Sequence, residues 1–326
     1  MQPSTYAAGV RRRYEDLPGV VQQWVDSQLG SPVVDVRNAT GGFSPGVAAV
    51  VTGTTGEQLF VKAVGSHVNA EALRLYRAER EVSGRLSAID GLLTPVGGTD
   101  LQVDGESFAV ILYPSLPGRP PQHPWRRVEL DRVLDALYDL SRRLTPAPSM
   151  PHARTRLVDF FSGWQQVAGD VSDPWRRDPW VAAHLGRLVV AEEDLRAQLP
   201  GDTLTHADLR ADNLMLDPEH VWFVDWAHAQ SAATWVDAAI LMSDVIASRG
   251  DHGEGGEIDV VATMHAHRTL AGVQFETHWL LQIAMTGALH ASARRPSPPG
   301  LPTIRVWQAH TAETLLAWCR RSSPLT

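Results

Sequence analysis

The sequence predicts an α+β chain folded as two lobes: a small antiparallel-sheet lobe over residues 1–112 and a larger, mainly helical lobe over 113–326. Three observations predict it. Strand-length apolar runs broken by glycine turns occupy 33–64 and 101–113, the pattern of a meander. The segment PSLPGRPPQHP at 114–124 holds too much proline and glycine to continue a helix or a strand, and reads as a linker. Beyond it, apolar residues recur at helical spacing over 125–145 and 178–199, and again from 233 to 321.

The elements follow in order. Residues 15–29 read as an amphipathic helix through Val20, Trp24 and Leu29. A strand at 33–36 runs into the turn GGFSPG at 41–46. Strands at 47–52 and 58–64 are parted by GTTGE. The spacing over 69–89 predicts a helix with Leu75, Glu79, Val82, Leu86 and Ile89 near one face, so Glu79 is a carboxylate on an apolar stripe and Glu81 points elsewhere. Strands near 101–103 and 108–113 flank the turn DGE. In the second lobe, short strands at 214–216 and 221–224 flank DPEH, and helices are expected at 233–248, 257–270, 274–292 and 303–321. The stretch GDHGEGGEID at 250–259 reads as a loop whose acids, Asp251, Glu254, Glu257 and Asp259, are solvated rather than a lure for a polycation. Trp164, Trp175 and Trp180 are read as packing residues, with stacking of one of them on a substrate ring as the alternative.

Composition removes several function classes. The 326 residues are 44% apolar and 20% charged, enough to bury a core. A net charge of −8 and the lack of a basic stripe argue against a nucleic-acid partner. The lone Cys319 excludes a disulfide framework, a cysteine-ligated zinc site and a four-cysteine iron–sulfur cluster. No apolar run reaches a membrane span, and MQPSTYAAGVRRRYED lacks the apolar core of a signal peptide, so a cytoplasmic location with no membrane partner is expected. Monomer and homodimer both stay open. Of the 29 basic residues, only Lys62 is a lysine. Lysine is a compact point charge and arginine a planar fork, so a lone lysine among arginines poses a chemical question.

The strongest chemical signal is LTHADLRADNLML at 204–216, with His206, Asp208 and Asn213 in the pattern H-x-D-x-x-x-x-N, followed by Asp225 in VWFVDW. Phosphoryl transfer needs these groups: one carboxylate to orient a hydroxyl and take its proton, and an amide oxygen with a second carboxylate to hold Mg²⁺ against nucleotide phosphates. Gly41, Gly42 and Ser44 of GGFSPG can offer backbone N–H groups and a hydroxyl to phosphate oxygens.

HADLRADN resembles the H-G-D-x-x-x-x-N catalytic loop of the aminoglycoside phosphotransferase family, whose fold is protein-kinase-like, and VDW resembles its metal-binding I-D-W. TWVDAAIL at 234–241 is similar to a later W-x-D-L segment, which implies that Asp237 braces the catalytic loop. The likeness spans about residues 33–245. It implies Asp208 as the catalytic carboxylate, His206 as support for the loop, and Asn213 and Asp225 as metal ligands. Lys62 in F-V-K is similar to the strand lysine that contacts the α- and β-phosphates, with Glu79 as its ion-pair partner and Glu71 and Glu81 as rivals. AVILYPSLPG resembles the linker that receives adenine, placing the base near Tyr113, Ser115 and Leu116, with a backbone donor from Ser115 or Leu116 because Pro114 has none. Ala207 stands where the family has Gly. Arg210 either reaches the γ-phosphate or pairs with Asp212. The implied function is an ATP-dependent (GTP remaining open), Mg²⁺-dependent kinase of a small-molecule hydroxyl, an antibiotic or a metabolite. An idle nucleotide-binding regulator of the same fold is the alternative. A protein-kinase role is disfavoured because no A-P-E segment follows Asp225.

Overall fold

The computed structural model describes residues 10–39, 42–86, 89, 92–148, 156–249, 258–270 and 272–325. The first lobe is built on helix α1 (Gly19–Leu29), strands β1 (Val33–Asn38), β2 (Val47–Gly53) and β3 (Gln58–Gly65), helix α2 (Ala70–Arg85), and strands β4 (Gly97–Val103) and β5 (Glu106–Pro114). The five strands pair antiparallel in the order β1-β2-β3-β5-β4. Asp104 and Gly105 join β4 to β5 at φ 50° and 80°, the two-residue turn that suits the twist of a hairpin.

Strand periodicity decides what each face carries. Val47, Ala49 and Val51, Val61 and Ala63, and Phe108, Val110 and Leu112 point to one side and pack with Val21, Val25 and Leu29 of α1. The alternate positions, among them Val64, Ala109, Ile111 and Tyr113, meet Ala72, Leu73 and Tyr76 of α2. Lys62, one residue from Val61 and from Ala63, therefore points to the α2 side.

The buried positions of α2 are Ala72, Leu73, Tyr76, Glu79 and Ser83, not the single stripe of Leu75, Glu79, Val82, Leu86 and Ile89 expected from spacing. The helix has two apolar faces. Leu73 and Tyr76 pack in the sheet lobe, while Val82, Leu86 and Ile89 pack into the core of the second lobe. A periodicity count merges two partners into one face.

The second lobe comprises α3 (Arg127–Arg143), α4 (Arg156–Phe160), α5 (Gly163–Gly169), α6 (Pro179–Gln198), strands β6 (Thr203–Thr205), β7 (Leu214–Leu216), β8 (Val221–Phe223) and β9 (Gln230–Ala232), and helices α7 (Val236–Arg249), α8 (Val260–Ala266), α9 (Phe275–Ala293) and α10 (Ile304–Arg321). Helix α9 is buried on every side from Thr277 to Ser292 and forms the axis of the lobe. Trp164 lies fully buried with its Nε1–H donating to the Ile283 carbonyl at 2.7 Å, and Trp175 stacks on His290, so both are packing residues. Strands β6 and β9, which spacing did not reveal, pair with each other, as do β7 and β8. Three-residue strands are too short to show a period. Together they hold the loops that follow Thr205 and Phe223. Among the described residues no helix is long and apolar enough to cross a membrane.

Candidate active site

Lys62 is buried on β3 and forms an ion pair with Glu79 of α2; its Nζ also lies 3.3 Å from Asp225 Oδ2 and 4.9 Å from the centre of the Tyr76 ring. Burial works against its charge, but Asp225 and Glu79 outweigh it and raise the lysine pKa, so Lys62 stays protonated. Burial lifts Glu79 to about 7, opposed by Lys62 and by the Tyr113 hydroxyl, which donates to Glu79 Oε1 at 3.0 Å. The rival acids are elsewhere: Glu71 pairs with Arg74, and Glu81 with Arg85 at 3.1 Å. Tyr76, which the sequence did not single out, also meets Ser44: the two hydroxyls are 2.6 Å apart, turning the Ser44 hydroxyl toward α2. Gly42 adopts φ 84° beside it. Gly41 lies outside the described residues, as do Asp251, Glu254 and Glu257 of the acidic loop.

The loop after β6 alternates. Leu209 and Ala211 are buried in the core, while Asp208, Arg210 and Asp212 face the cleft. Asp237 of α7 holds its start, accepting the His206 N–H at 2.7 Å and the Ala207 N–H at 2.8 Å. Ala207 sits at φ 62°, the left-handed region in which a residue lacking Cβ is more comfortable. His206 has both ring nitrogens occupied: Nδ1 accepts the Asp208 N–H at 3.3 Å, which leaves Nε2–H to donate to the Val224 carbonyl at 2.8 Å. That ring ties two loops together and has no face left for substrate. Asp244 of α7 accepts the Ala211 N–H at 3.0 Å and the Trp125 indole N–H at 2.8 Å. Burial acts to raise its pKa, but His123, Trp125 and the Ala211 amide outweigh it and keep it ionised. Nothing in the spacing pointed to Asp244, the second of the two acids on α7.

Asn213 donates through Nδ2 to the Asp208 backbone oxygen at 2.7 Å and to Asp208 Oδ2 at 3.2 Å. Its amide oxygen thus stays directed away from those donors' partners and available to a cation. Asp225 stands after β8 at φ 68° and ψ 59°, a strained backbone for a non-glycine residue, with the next residue anchored by the Trp226 Nε1–H bond to the Phe223 carbonyl at 2.9 Å. Burial would raise the Asp225 pKa, but Lys62 beside it outweighs this and holds it at about 2, so the carboxylate is ionised with 41% of its side chain open to the cleft. An amide oxygen and one carboxylate suit Mg²⁺, which keeps waters and phosphate oxygens in its shell rather than needing an all-protein cage.

Arg210 is paired rather than free. Its Nη2 lies 3.1 Å from Asp212 Oδ2 and its Nε 3.7 Å from Asp208 Oδ1, and that Nε has no hydrogen-bond partner among the described residues. Its guanidinium also lies 5.8 Å from the Phe43 ring and 5.1 Å from the Trp307 ring. The nucleotide-sized part of the cleft runs between the sheet and β7–β8. Ala48, Val50, Phe60, Leu116, Met215 and Phe223 line it as two apolar walls that can clasp a flat base, and Tyr113 and Ser115 border it.

The sequence model described as the phosphotransferase enzyme family matches residues 35–260. No curated protein matches the chain in sequence. Among solved structures, the chain is similar to a choline kinase from Streptococcus pneumoniae (13% identity, 91% of this chain and 98% of that one, TM-score 0.58). It is similar also to an amicoumacin kinase in complex with AMP-PNP and Ca²⁺ (13%, 91% and 94%, 0.55) and to a spectinomycin phosphotransferase in complex with ADP and spectinomycin (13%, 91% and 97%, 0.55). At such identities the likeness is one of fold, the protein-kinase-like arrangement of an antiparallel sheet lobe on a helical lobe.

Proposed function

The chain belongs to the phosphotransferase enzyme family, and on that premise we propose that it transfers the γ-phosphoryl group of ATP, with GTP as the alternative donor, to a hydroxyl of a small molecule in the cytoplasm. One observation carries the proposal: a buried lysine 3.3 Å from Asp225, and Asp208 with Asn213 at 3.2 Å, open onto the same cleft. The nucleotides bound in two fold neighbours support the donor class.

In this reading the base lies between the apolar walls, received by backbone groups of Ser115 or Leu116, and Gly41, Gly42 and Ser44 cover the phosphates. Lys62, held by Glu79, contacts the α- and β-phosphates. Asn213 and Asp225 would hold Mg²⁺, whose chemistry there would be to neutralise phosphate charge. Asp208 accepts the proton of the acceptor hydroxyl as its oxygen bonds to the γ-phosphorus and the bond to the ADP oxygen breaks. Arg210, with its unpartnered Nε beside Asp208, stabilises charge at the transferring group. His206, Asp237 and Asp244 are positioning residues that act through the loop.

Incubation with Mg·ATP and a panel of hydroxyl antibiotics and metabolites, read by mass for one added phosphoryl group, tests the proposal. Asp208→Asn should lower turnover roughly 10²–10⁴-fold while Mg·ATP still binds. Turnover unchanged in that variant would sink the role of Asp208. Nucleotide binding with no transfer to any alcohol would point instead to an idle regulatory binder.

A further inference from the structure

The cleft encloses about 1550 Å³, more than the roughly 300–1000 Å³ that one drug-sized ligand fills. It therefore has room for a second molecule beside a nucleotide. Part of its lining differs in chemistry from the Lys62–Asp225 pair. Phe43, Phe160 and Trp307 each keep part of the ring open to the cleft, and Ile240, Met285 and Leu289 add aliphatic surface from α7 and α9. Phe43 and Trp307 meet edge to face, with ring centres 5.0 Å apart, next to the arginine that flanks Asp208.

Among the described residues most carboxylates of the cleft are engaged, and Asp208 and Asp225 alone of the reaction's acids keep 37% and 41% of their side chains open. Glu71 pairs with Arg74, Glu79 and Asp225 with Lys62, and Asp212 with Arg210; Asp244 is taken by Trp125 and Ala211. Arg37 and Arg210 add positive charge to the same walls. An ammonium group entering such a site loses water, and the two open described carboxylates, Asp208 and Asp225, are committed in the proposed reaction to the acceptor hydroxyl and the metal, so its desolvation is costly. An apolar ring gains the area it buries against the aromatic walls.

Resting on the function proposed above, we propose that the acceptor is a neutral, largely apolar hydroxyl compound with a flat or ring portion, not a polycation. Trp307 is the aromatic wall that selects it, with its hydroxyl presented to Asp208.

Equilibrium binding by the full chain tests this, with and without Mg·AMP-PNP. The probes are chloramphenicol and 2-phenylethanol as neutral aromatic alcohols, and kanamycin and neomycin as polycations. The neutral probes should bind at least tenfold more tightly than kanamycin. Trp307→Ala should weaken them tenfold or more, and Trp307→Phe should restore most of the loss. Trp307 also packs against the core of the helical lobe, so the Trp307→Phe variant and the wild-type comparison carry the test even if Trp307→Ala fails to fold. Tighter binding of kanamycin, absence of binding by every neutral probe, or indifference of a folded Trp307→Ala protein overturns the inference. The enzymatic reading falls on separate readouts: failure of Mg·AMP-PNP to bind, or of Mg·ATP to yield ADP with any alcohol.

Discussion

Lys62 keeps its charge where burial opposes it, because two carboxylates reach it from different elements, Glu79 on α2 and Asp225 after β8. The partners respond in opposite directions. Lys62 drives Asp225 down, whereas burial drives Glu79 up. The Glu79 shift has a sign that can be checked. Its folded value of about 7 lies above the ordinary 4.5, so the folded protein holds a proton that the unfolded chain has released between these values. The stability this contributes is complete below pH 4.5 and lost as pH rises through 7. Thermal melts of wild type and Glu79→Gln across that window should diverge: the wild type loses stability with rising pH relative to the variant, and parallel curves would contradict it. Lys62 was legible as a singular residue because the chain has no other lysine. Glu79 was legible as a misplaced acid, but the tyrosines that serve the pair were not. Tyr76 looked like an ordinary core aromatic and Tyr113 was read only as a linker residue near the base, and their hydroxyl contacts alone tie them to this pair.

Short elements do most of the positioning. The H-x-D-x-x-x-x-N loop is suspended between β6 and α7, with Asp237 taking two of its amides and Asp244 a third. The motif made the loop and Asp237 visible, whereas β6 and β9 stayed hidden because three residues carry no periodicity. Ala207 shows what this suspension imposes. Its N–H must point at Asp237, which forces φ to 62°. A left-handed alanine costs about 1–2 kcal/mol, and glycine gives back part of that through its looser unfolded chain. Ala207→Gly should therefore stabilise the protein by up to about 1 kcal/mol in denaturant unfolding with no loss of fold. A destabilised variant would show that the methyl's packing matters more than the backbone strain. Helix α2 fails as a single amphipathic stripe for a related reason: it is sandwiched, and each lobe claims its own face.

Across the whole molecule, the segment before α10 ties the helical lobe to the sheet lobe. Asn69 at the start of α2 donates through Nδ2 to the Pro299 carbonyl at 2.9 Å, and Gly300 packs directly against Pro45 beside the glycine-rich turn. Gly300 is at φ 75°, and a side chain there would meet the Pro45 ring. Gly300→Val should cost about 2 kcal/mol or more in unfolding. It should also raise the KM for Mg·ATP, because the turn over the phosphates loses its support. An unchanged melting profile and KM would show that the segment is not such a tie. Trp307, on the helix that follows, enters the cleft for the same topological reason, and the sequence offered only a tryptophan at helical spacing.

What the sequence determined by itself is the chemistry that lies close along the chain. The loop from His206 to Asn213, the acid at 225, the lone lysine and the glycine turn are local patterns, and alternation along β3 already sends Lys62 to the opposite side from Val61 and Ala63. What only the tertiary structure decided is which distant residues complete that chemistry: Tyr113 beside Glu79, Asp244 beneath the loop, Phe43 and Trp307 flanking Arg210. Those pairings span tens to hundreds of residues. They depend on how the two lobes pack, which no local period or spacing encodes.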